Sequence, residues 1–436
     1  MKKIILPILL FLTIIILPSV LAADCGGAVQ CACGDKLTSS QDMWYDLQGC
    51  PNLGLKIKDN NIMLNCNGHV IEGDGFGGGS GVFVGMTAVQ KSNIQVKNCK
   101  IKDFFIGIDV LYTVDRVNLE NNTLINNSIG INVDDINFLN VSNNFIMTSP
   151  LSVDDAMILC HSCTNAAFFS NTFNYGNGLD VWQMKLMTSN NLTIFDNNFS
   201  NGGNATSLFE VTNSTIRNNN FDNSSFNEGY LIYLHRNSDS NSIYDNTLTN
   251  SKVGFFLDNS KFNNIYNNNF LGNNFGIYLD GYSTKNRISE NLFENNNLGI
   301  DLSDSQNNLV WLNKFIGNVQ SAVEDNMHRT NYWNFSNIGN YWDDFESNPG
   351  FPNYYEIPGT GTEKDYSPVW NFSSAPNSPG QPIGPTNGIN LETYNFTTNT
   401  TDPEGDNIYY QWDWGNGNYS GWEGPFNSGA NINYDY

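Results

Sequence analysis

A repeat of about 22 residues, short runs of alternating apolar residues and the lack of helical periodicity together predict an all-β fold, a parallel β-helix. The clearest copy of the repeat joins Asn267–Phe270, Gly276–Leu279 and Asn286–Ile288. Aligned on the apolar residue after each Asn run, the copies fall at Ile101, Leu124, Phe145, Phe173, Phe199, Phe221, Leu248, Phe270, Phe293 and Phe315. Successive copies are 21 to 28 residues apart, which is typical of stacked repeats.

Each copy contains three short apolar runs separated by Asn, Asp, Ser and Gly. Period-2 alternation bounded by such residues is typical of strands. Three strands make one coil, and each strand pairs with its counterpart one coil along, about 4.8 Å away. Leucine-rich repeats share the period, but their Leu-x-x-Leu-x-Leu run is missing. Asn tolerates the left-handed conformation of a tight corner, and stacked amides hydrogen-bond to one another, so we expect the Asn runs to form structural corners.

The chain opens with a segment typical of export. Lys2 and Lys3 precede an apolar run, and Val20–Ala23 offers a small-residue cleavage site. We predict a signal peptide over residues 1–23, with an uncleaved membrane anchor as the alternative.

The charge balance restricts the partners. The chain carries 43 acidic and 20 basic residues, for a net charge of −23 at pH 7. Such a balance disfavours nucleic acid and anionic membrane surfaces. It favours extracellular glycans or cell-envelope components. Membrane contact would come only through an uncleaved signal segment or through sequence beyond the C-terminal end.

Six cysteines cluster where a β-helix must cap its first coil. An even number in an exported protein indicates disulfides, although six cysteines allow fifteen pairings. The candidates are Cys25, Cys31, Cys33, Cys50, Cys66 and Cys99. Asn-x-Ser/Thr sequons are also frequent, and they predict glycosylation in an exported chain.

Several motifs resemble those of known exported β-helix proteins. They are Cys31–Asp35, Asn61–Gly73, the recurring Asn-Asn-x-Phe and Gly-Ile-x-Leu, the Trp-rich Asn331–Asn334 and Gly339–Phe345, and Asp365-Tyr366-x-Pro368. From Cys31 to Val369 the sequence is similar to the NosD family of periplasmic β-helix proteins. The resemblance implies a right-handed coil and raises a role in handling copper.

The composition changes after the repeat. Residues 373–388 are rich in Pro, Gly and Ser and read as a linker. Alternating strand patterns follow, and Asp413–Gly417 resembles the Asp-Trp-Gly-x-Gly turn of a PKD-type domain. Because a sandwich of this kind needs roughly 80–100 residues, we expect residues 389–436 to be a truncated Ig-like β-sandwich.

One outward position of each coil gives the main functional prediction. Read coil by coil along the Gly-Ile-x-Leu run, it holds Asp109, Asn132, Met157, Asp180, Glu210, Tyr233, Phe256, Tyr278 and Asp301. Three successive rings would stack there as a ladder beside carboxylates. Rings that pack on sugar faces and acids that bind hydroxyls predict a glycan site formed by Glu210, Tyr233, Phe256 and Tyr278. The alternative is a ladder that only stabilises itself.

Acidic residues near the longest coils allow a catalytic alternative. Asp154, Asp155 and Asp180 could supply the two carboxyl groups of an inverting glycoside hydrolase. The Asp154-Asp155 pair is similar to the paired aspartates of polygalacturonases, whose Gly-His-Gly and Arg-x-Lys motifs are missing here. A lyase would need a basic residue above a Ca²⁺ site, and the middle coils offer Lys185, Arg217 and Arg236.

A metal site is the third possibility. Cys160, His161 and Cys163 place two thiols and an imidazole within four residues. Such soft ligands suit copper(I) or zinc, and copper agrees with the NosD resemblance. The alternative is a short-loop disulfide. No cofactor is predicted as obligatory; Ca²⁺ and copper are the ions that these residues would suit.

The sequence therefore predicts a right-handed single-stranded parallel β-helix of about eleven coils over residues 24–372, followed by the linker and the truncated β-sandwich. The predicted function is that of a secreted or cell-surface protein that binds carbohydrate without catalysis. A polysaccharide hydrolase or lyase is the first alternative, and a NosD-like copper-handling accessory protein is the second.

Overall fold

The computed structural model describes residues 24–75, 78–85, 91–147, 156–174, 181–222, 229–302, 304–324, 330–369, 376–385, 387, 392–403, 407–412, 420 and 423–435. The predicted signal peptide lies outside these residues. The chain divides into two compact units, one that ends at Tyr366 and one that covers Ser367–Tyr436.

The first unit is the predicted parallel β-helix, and its strands form three faces. We call the first the long face. Its strands are Asp24–Cys25, Asp35–Leu37, Leu53–Ile57, Ser80–Gly85, Ile106–Glu120, Ile129–Ser142, Ala156–Thr164, Trp182–Met187, Asn204–Phe209, Tyr230–His235, Val253–Asp258, Phe275–Asp280, Leu298–Leu302 and Gln320–Val323. Each strand pairs in parallel with the strand one coil along, as Tyr230–His235 does with Val253–Asp258.

The second face is shorter and shares two strands with the long face, Ile106–Glu120 and Ile129–Ser142, which continue around the corner. Its other strands are Gln41–Asp42, Met63–Asn65, Lys91–Lys97, Ala167–Phe169, Thr193–Phe195, Thr215–Arg217, Ser242–Tyr244, Asn264–Tyr266, Arg287–Ser289 and Leu309–Trp311.

The third face contains thirteen strands among the described residues, compared with the eleven or so coils predicted. They are Leu47–Cys50, Val70–Gly73, Lys100–Lys102, Thr123–Ile125, Phe145–Met147, Thr172–Asn174, Asn198–Ser200, Asn220–Asp222, Thr247–Thr249, Asn269–Leu271, Leu292–Glu294, Lys314–Ile316 and Tyr341–Trp342. A 3₁₀ turn at Phe345–Ser347 and an antiparallel pair, Tyr355–Glu356 with Lys364–Asp365, follow.

The core is a set of inward columns in which each residue touches its counterpart one coil away. On the third face Phe173, Phe199 and Phe221 stack with ring centroids 4.5 and 4.6 Å apart. Burying these rings removes a large apolar area from water. One predicted member of this column is wrong: Ile146, not Phe145, is in register with Leu124. Ile146 is fully buried, because strand alternation turns its neighbour outward.

The Asn runs form corners, as predicted, and the two residues of each Asn pair differ in role. Asn267 has the left-handed φ of 53° and is exposed, whereas Asn268 is fully buried. The buried residues form what we call the amide ladder: Asn122, Asn144, Asn171, Asn197, Asn219, Asn246, Asn268, Asn291, Asn313 and Asn340. Each side-chain amide donates to the amide oxygen of the next coil, so the ladder satisfies polar groups that the corners bury.

The glycine of the Gly-Ile-x-Leu run is required by close packing. A Cβ on Gly276 would lie 2.5 Å from the carbonyl oxygen of Gly299 and 2.8 Å from Cδ1 of Phe293. Those distances are too short for a side chain. Only glycine at this position allows the long face and the third face to come this close at the corner.

Both ends of the β-helix are closed. The six cysteines predicted to pair form the disulfides Cys25–Cys31, Cys33–Cys50 and Cys66–Cys99. At the other end Asp365 is fully buried and accepts hydrogen bonds from the backbone N–H of Asn340 and from Nε1 of Trp342. The amide ladder therefore ends on a carboxyl group.

The second unit is small. Asn395–Thr398 pairs antiparallel with Ile432–Asp435, and Ile408–Tyr410 with Glu423–Phe426, around a core that includes Trp412. Within the predicted linker, Ile383 forms a β-bridge with Thr397, and its backbone exchanges hydrogen bonds of 2.8 and 2.9 Å with that residue. This Pro-rich run therefore belongs to the second unit. The PKD-like Asp413–Gly417 lies outside the described residues.

Candidate functional site on the long face

The outward column of the long face differs from the predicted one in the middle coils. By register it runs Asn132, Leu159, Lys185, Ser207, Tyr233, Phe256, Tyr278 and Asp301. Met157 is buried and not part of it. Glu210 lies at the exposed corner after its strand, with a φ of 55°. The prediction that Glu210 precedes the rings in this column is therefore wrong.

The predicted catalytic residues cannot be compared with the structure. Asp154, Asp155 and Asp180 all lie outside the described residues. In the coil that contains Trp182–Met187, Lys185 holds the column position, as the register partner of Leu159. The catalytic alternative stays a prediction.

The three predicted rings do stack. The ring centroids of Tyr233 and Phe256 are 4.7 Å apart at 7°, and those of Phe256 and Tyr278 are 4.9 Å apart at 10°. His235 covers the other face of Tyr233, with centroids 4.2 Å apart. Both faces of the central rings are thus occupied, and only their edges are available to a ligand.

Further rings widen the column into what we call the aromatic strip: Trp182, Tyr230, Tyr233, Phe256, Phe275 and Tyr278. All six are half-buried. The ring centroid of Tyr230 lies 5.6 Å from those of Tyr233 and Phe256, and the ring centroid of Trp182 lies 6.1 Å from that of Tyr233. The register partner of Trp182 in the preceding coil is Ala156, so one indole face has no ring stacked on it among the described residues.

Sequence reasoning missed Trp182, Tyr230 and Phe275, although a signal existed. Each stands three residues before a member of the outward column, at Lys185, Tyr233 and Tyr278. Strict alternation would turn such a residue inward. These strands begin instead with one outward residue, two buried residues and another outward residue. The extra buried residue stands at the position of the glycine in the Gly-Ile-x-Leu run.

Carboxylates border the strip at the C-terminal coils. The hydroxyl of Tyr233 donates to Asp258 at 3.3 Å, and that of Tyr278 donates to Asp280 at 3.2 Å. Burial and then the nearby carboxylates, including Asp301, raise the pKa of Tyr278 to about 12. Both phenols are therefore neutral donors at physiological pH.

Cations border the other end. Burial, followed by the charges of Arg236 and Lys185, lowers the pKa of His235 to about 4. His235 is therefore a neutral imidazole near pH 7, and its Nε2 lies 3.0 Å from the hydroxyl of Ser207. Its neutral ring therefore packs flat against Tyr233 of the strip.

The predicted metal ligands form a different arrangement. Cys160 and Cys163 are joined in a disulfide and are fully buried, so neither sulfur is a thiolate. His161 points outward with about half its side chain exposed, and its Nδ1 lies 2.8 Å from Oδ1 of Asp134. Met187 is its register partner in the next coil. The described residues contain no cluster of three or more His, Cys, Asp or Glu side chains that could hold a metal.

Comparison with known proteins identifies the family. Residues 51–208 and 183–347 match the model of the family described as periplasmic copper-binding protein (NosD). The chain belongs to the NosD family. The four disulfides of this NosD-family member, which is a right-handed parallel β-helix, indicate an extracytoplasmic protein, since structural disulfides persist in oxidising compartments. Within the described residues no helix is long and apolar enough to span a membrane.

Solved structures resemble this NosD-family chain only distantly. The periplasmic alginate epimerase AlgG is 13% identical, with a TM-score of 0.44 for a double mutant that covers 66% of this chain and 75% of its own. DFA-IIIase from Arthrobacter chlorophenolicus A6 is 13% identical (TM-score 0.42; 63% and 81% covered). The alginate lyase of Paenibacillus sp. str. FPU-7 is 14% identical (TM-score 0.41; 59% and 88% covered). No curated protein sequence matches the chain.

Proposed function

We propose that this protein is a non-catalytic, extracytoplasmic carbohydrate-binding protein whose ligand lies along the aromatic strip. The observation that carries the proposal is the strip itself, a continuous band of half-buried rings that extends from Trp182 to Tyr278 across the stacked strands of the long face. An extended surface of this kind suits an extended polymer.

The way the rings pack determines how a sugar would contact them. Because the central rings cover each other, a sugar contacts their edges, whose hydrogens carry positive charge. The hydroxyls of Tyr233 and Tyr278 and the carboxylates beside them offer hydrogen bonds. Among the described residues no ring stacks on one face of the Trp182 indole, and that face is where a sugar would stack.

Trp182→Ala is therefore expected to weaken binding of a responsive oligosaccharide by about tenfold or more, because it removes an indole face on which no described ring stacks. A glycan array followed by calorimetric titration measures this. Tyr266→Ala is the matched control, since Tyr266 stacks on Tyr244 at 4.8 Å on the second face. Equal losses in both variants, or no glycan bound by the native protein, would contradict the proposal.

Turnover would decide between binding and catalysis. The native protein is expected to release no reducing sugar and no unsaturated product from acidic polysaccharides. Activity that disappears in Asp155→Ala or Asp180→Ala would establish the hydrolase or lyase alternative instead.

A second candidate function is copper handling, which the description of the family raises. The cysteines do not fit a copper site in the oxidised chain, but His161 and Met187 do. In the tautomer that donates Nδ1–H to Asp134, Nε2 of His161 is left to bind a metal, an arrangement common around metal-binding histidines. A thioether one coil away suits copper(I).

Competition with a chromogenic copper(I) chelator tests this candidate. His161→Ala and Met187→Leu are each expected to weaken copper(I) binding by about tenfold or more. His69→Ala is the control, because His69 has the same pairing with Asp46, at 3.0 Å, on the third face. Absence of bound copper(I), or binding that neither variant changes, would remove copper handling through these residues.

A further inference from the structure

We infer that the second face carries a separate saccharide site, a groove at its corner with the long face in which Arg116, Phe138 and three amide side chains bind a neutral hexose oligosaccharide. The groove and the aromatic strip lie on different faces, so the inference goes beyond the proposed function and does not rest on it. It starts from a corner at which two residues depart from the repeat.

Arg116 and Phe138 occupy a corner position that neighbouring coils fill with Asn. The Asn residues of this column, all with a left-handed φ, are Asn61, Asn93, Asn165, Asn191 and Asn213. Arg116 and Phe138 keep that conformation, with φ of 58° and 65°, although bulky residues are strained in it. The guanidinium lies 5.6 Å from the ring centroid of Phe138, and an exposed contact of this kind is worth less than the strain of two such residues. Stability therefore does not account for the pair.

Both side chains are open to a ligand. Phe138 is 44% exposed, and no other ring of the described residues stacks on it. Arg116 is exposed as well, and none of the described carboxylates forms an ion pair with it. The pair therefore offers ring surface and guanidinium N–H groups at one place.

Three amide side chains lie beside the pair. Gln95, Asn118 and Asn140 are register partners in successive coils, and with the pair they line a groove of ≈ 550 Å³, within the range of about 300–1,000 Å³ typical of small-molecule sites. The amides of Gln95 and Asn118 make contacts of 3.4 Å to Oε2 of Glu120, and Asn140 has no side-chain partner among the described residues. Unlike the amide ladder, this row keeps hydrogen-bonding groups for a ligand.

This combination of groups suits a sugar. A hexose has a face of C–H groups that packs on an aromatic ring, and a rim of hydroxyls that both donate and accept hydrogen bonds. Asn and Gln amides also donate and accept, and the planar guanidinium of Arg adds five N–H donors.

The charges around the groove favour a neutral sugar. The described charged side chains within two residues of its lining are Lys97, Asp115, Arg116 and Glu120. Two positive and two negative charges balance, so a polyuronate and an amino-sugar polymer would each meet like charges as well as opposite ones. A neutral oligomer meets no such repulsion.

An extended peptide is the competing ligand, and the sheet does not favour it. Peptides that bind by adding a strand need an open sheet edge. The three strands of the groove, Lys91–Lys97, Ile106–Glu120 and Ile129–Ser142, pair with one another. The outer two also pair with Met63–Asn65 and Ala167–Phe169, so no edge is open at the groove.

Calorimetric titration with cellohexaose, mannohexaose and maltohexaose tests the inference. At least one is expected to bind, with a Kd that changes by less than about twofold between about 0.05 and 0.5 M salt, because no charge pair forms. Phe138→Asn should weaken that binding by about tenfold or more, and Arg116→Asn by about fivefold. Asn140 begins an Asn-Val-Ser sequon, so the protein is made in a host without N-glycosylation.

Phe138→Asn also separates binding from stability. It restores the residue of the neighbouring coils, so the variant should unfold at the same or a higher denaturant concentration. A clearly less stable variant would mean that the ring serves the fold, and would overturn the inference.

Phe262→Asn is the matched control and should leave binding unchanged. Phe262 lies at the same corner with a φ of 59°, and Nζ of Lys285 is 5.3 Å from its ring centroid. Equal losses in the two ring variants, no hexaose bound, tighter binding of hexagalacturonate or of a glucosamine hexamer, or displacement of the sugar by a tryptic digest of serum albumin would each overturn the inference. The proposed function depends on binding that Trp182→Ala weakens, so either site can fail while the other stands.

Discussion

Replacing Asp365 by alanine is expected to lower the free energy of unfolding of the last coils by about 3–5 kcal/mol. Oδ2 of this buried carboxyl accepts the backbone N–H of Asn340 at 2.7 Å and Nε1 of Trp342 at 3.0 Å. Alanine would leave both buried donors without a partner, and each such group costs about 1–3 kcal/mol. Denaturant unfolding followed by far-UV circular dichroism measures the loss.

Two other variants make this expectation specific. Asp365→Asn keeps an oxygen acceptor and should cost clearly less than the alanine variant. Asp343→Ala removes an exposed carboxylate that accepts a single backbone N–H, that of Gly317 at 2.5 Å, and should cost at most about 1 kcal/mol, since exposed groups exchange partners with water. If the buried and exposed positions proved equally tolerant, the carboxyl group would not close the amide ladder.

The β-helix could be predicted because its determinants are local and recur. An Asn pair defines both a left-handed corner and an inward amide, so one short motif fixes the turn and its hydrogen bonds, as Asn267 and Asn268 show. The paired cysteines could be predicted as a class, but the sequence left their fifteen pairings open. The pairing depends on how the first coils stack on one another, and no local sequence pattern encodes that stacking.

The candidate site could be predicted only where the coils have equal length. Tyr233, Phe256 and Tyr278 follow one another at 22 or 23 residues and stack as expected. In the longer coils, counting residues from one repeat to the next selects the wrong residue, because strand pairing alone sets the register. The count selects Asp180, in the run Gly178–Val181, whereas the column position of that coil is held by Lys185, five residues later.

The charge that precedes the rings was likewise not predicted from the sequence. The prediction placed acids there, at Asp180 and Glu210, whereas the register places Lys185 two coils before Tyr233. Asp301 follows the rings, as the sequence predicted.

Asn268→Ala is expected to destabilise the middle of the β-helix by about 4 kcal/mol or more. Its Nδ2 donates to the carbonyl oxygens of Ile243 and Tyr266, at 2.9 and 3.0 Å, and its Oδ1 accepts the backbone N–H of Asn246 at 3.0 Å. Alanine would leave these buried groups in two coils without a hydrogen-bond partner, and each unsatisfied group lowers the free energy of unfolding. Denaturant unfolding measures the total loss.

Hydrogen exchange locates the effect. In a stacked-repeat protein each coil is stabilised mainly by its neighbours, so the amide of Asn246 should exchange much faster in Asn268→Ala, while amides near Leu64 should change little. Asn267→Gly is the control. Asn267 is exposed and holds a left-handed φ of 53° that glycine also adopts, so its replacement should cost only a few tenths of a kcal/mol. If the two variants lost similar stability, the buried amide would contribute no more than the corner beside it, and the ladder would be a consequence of stacking and not a cause of it.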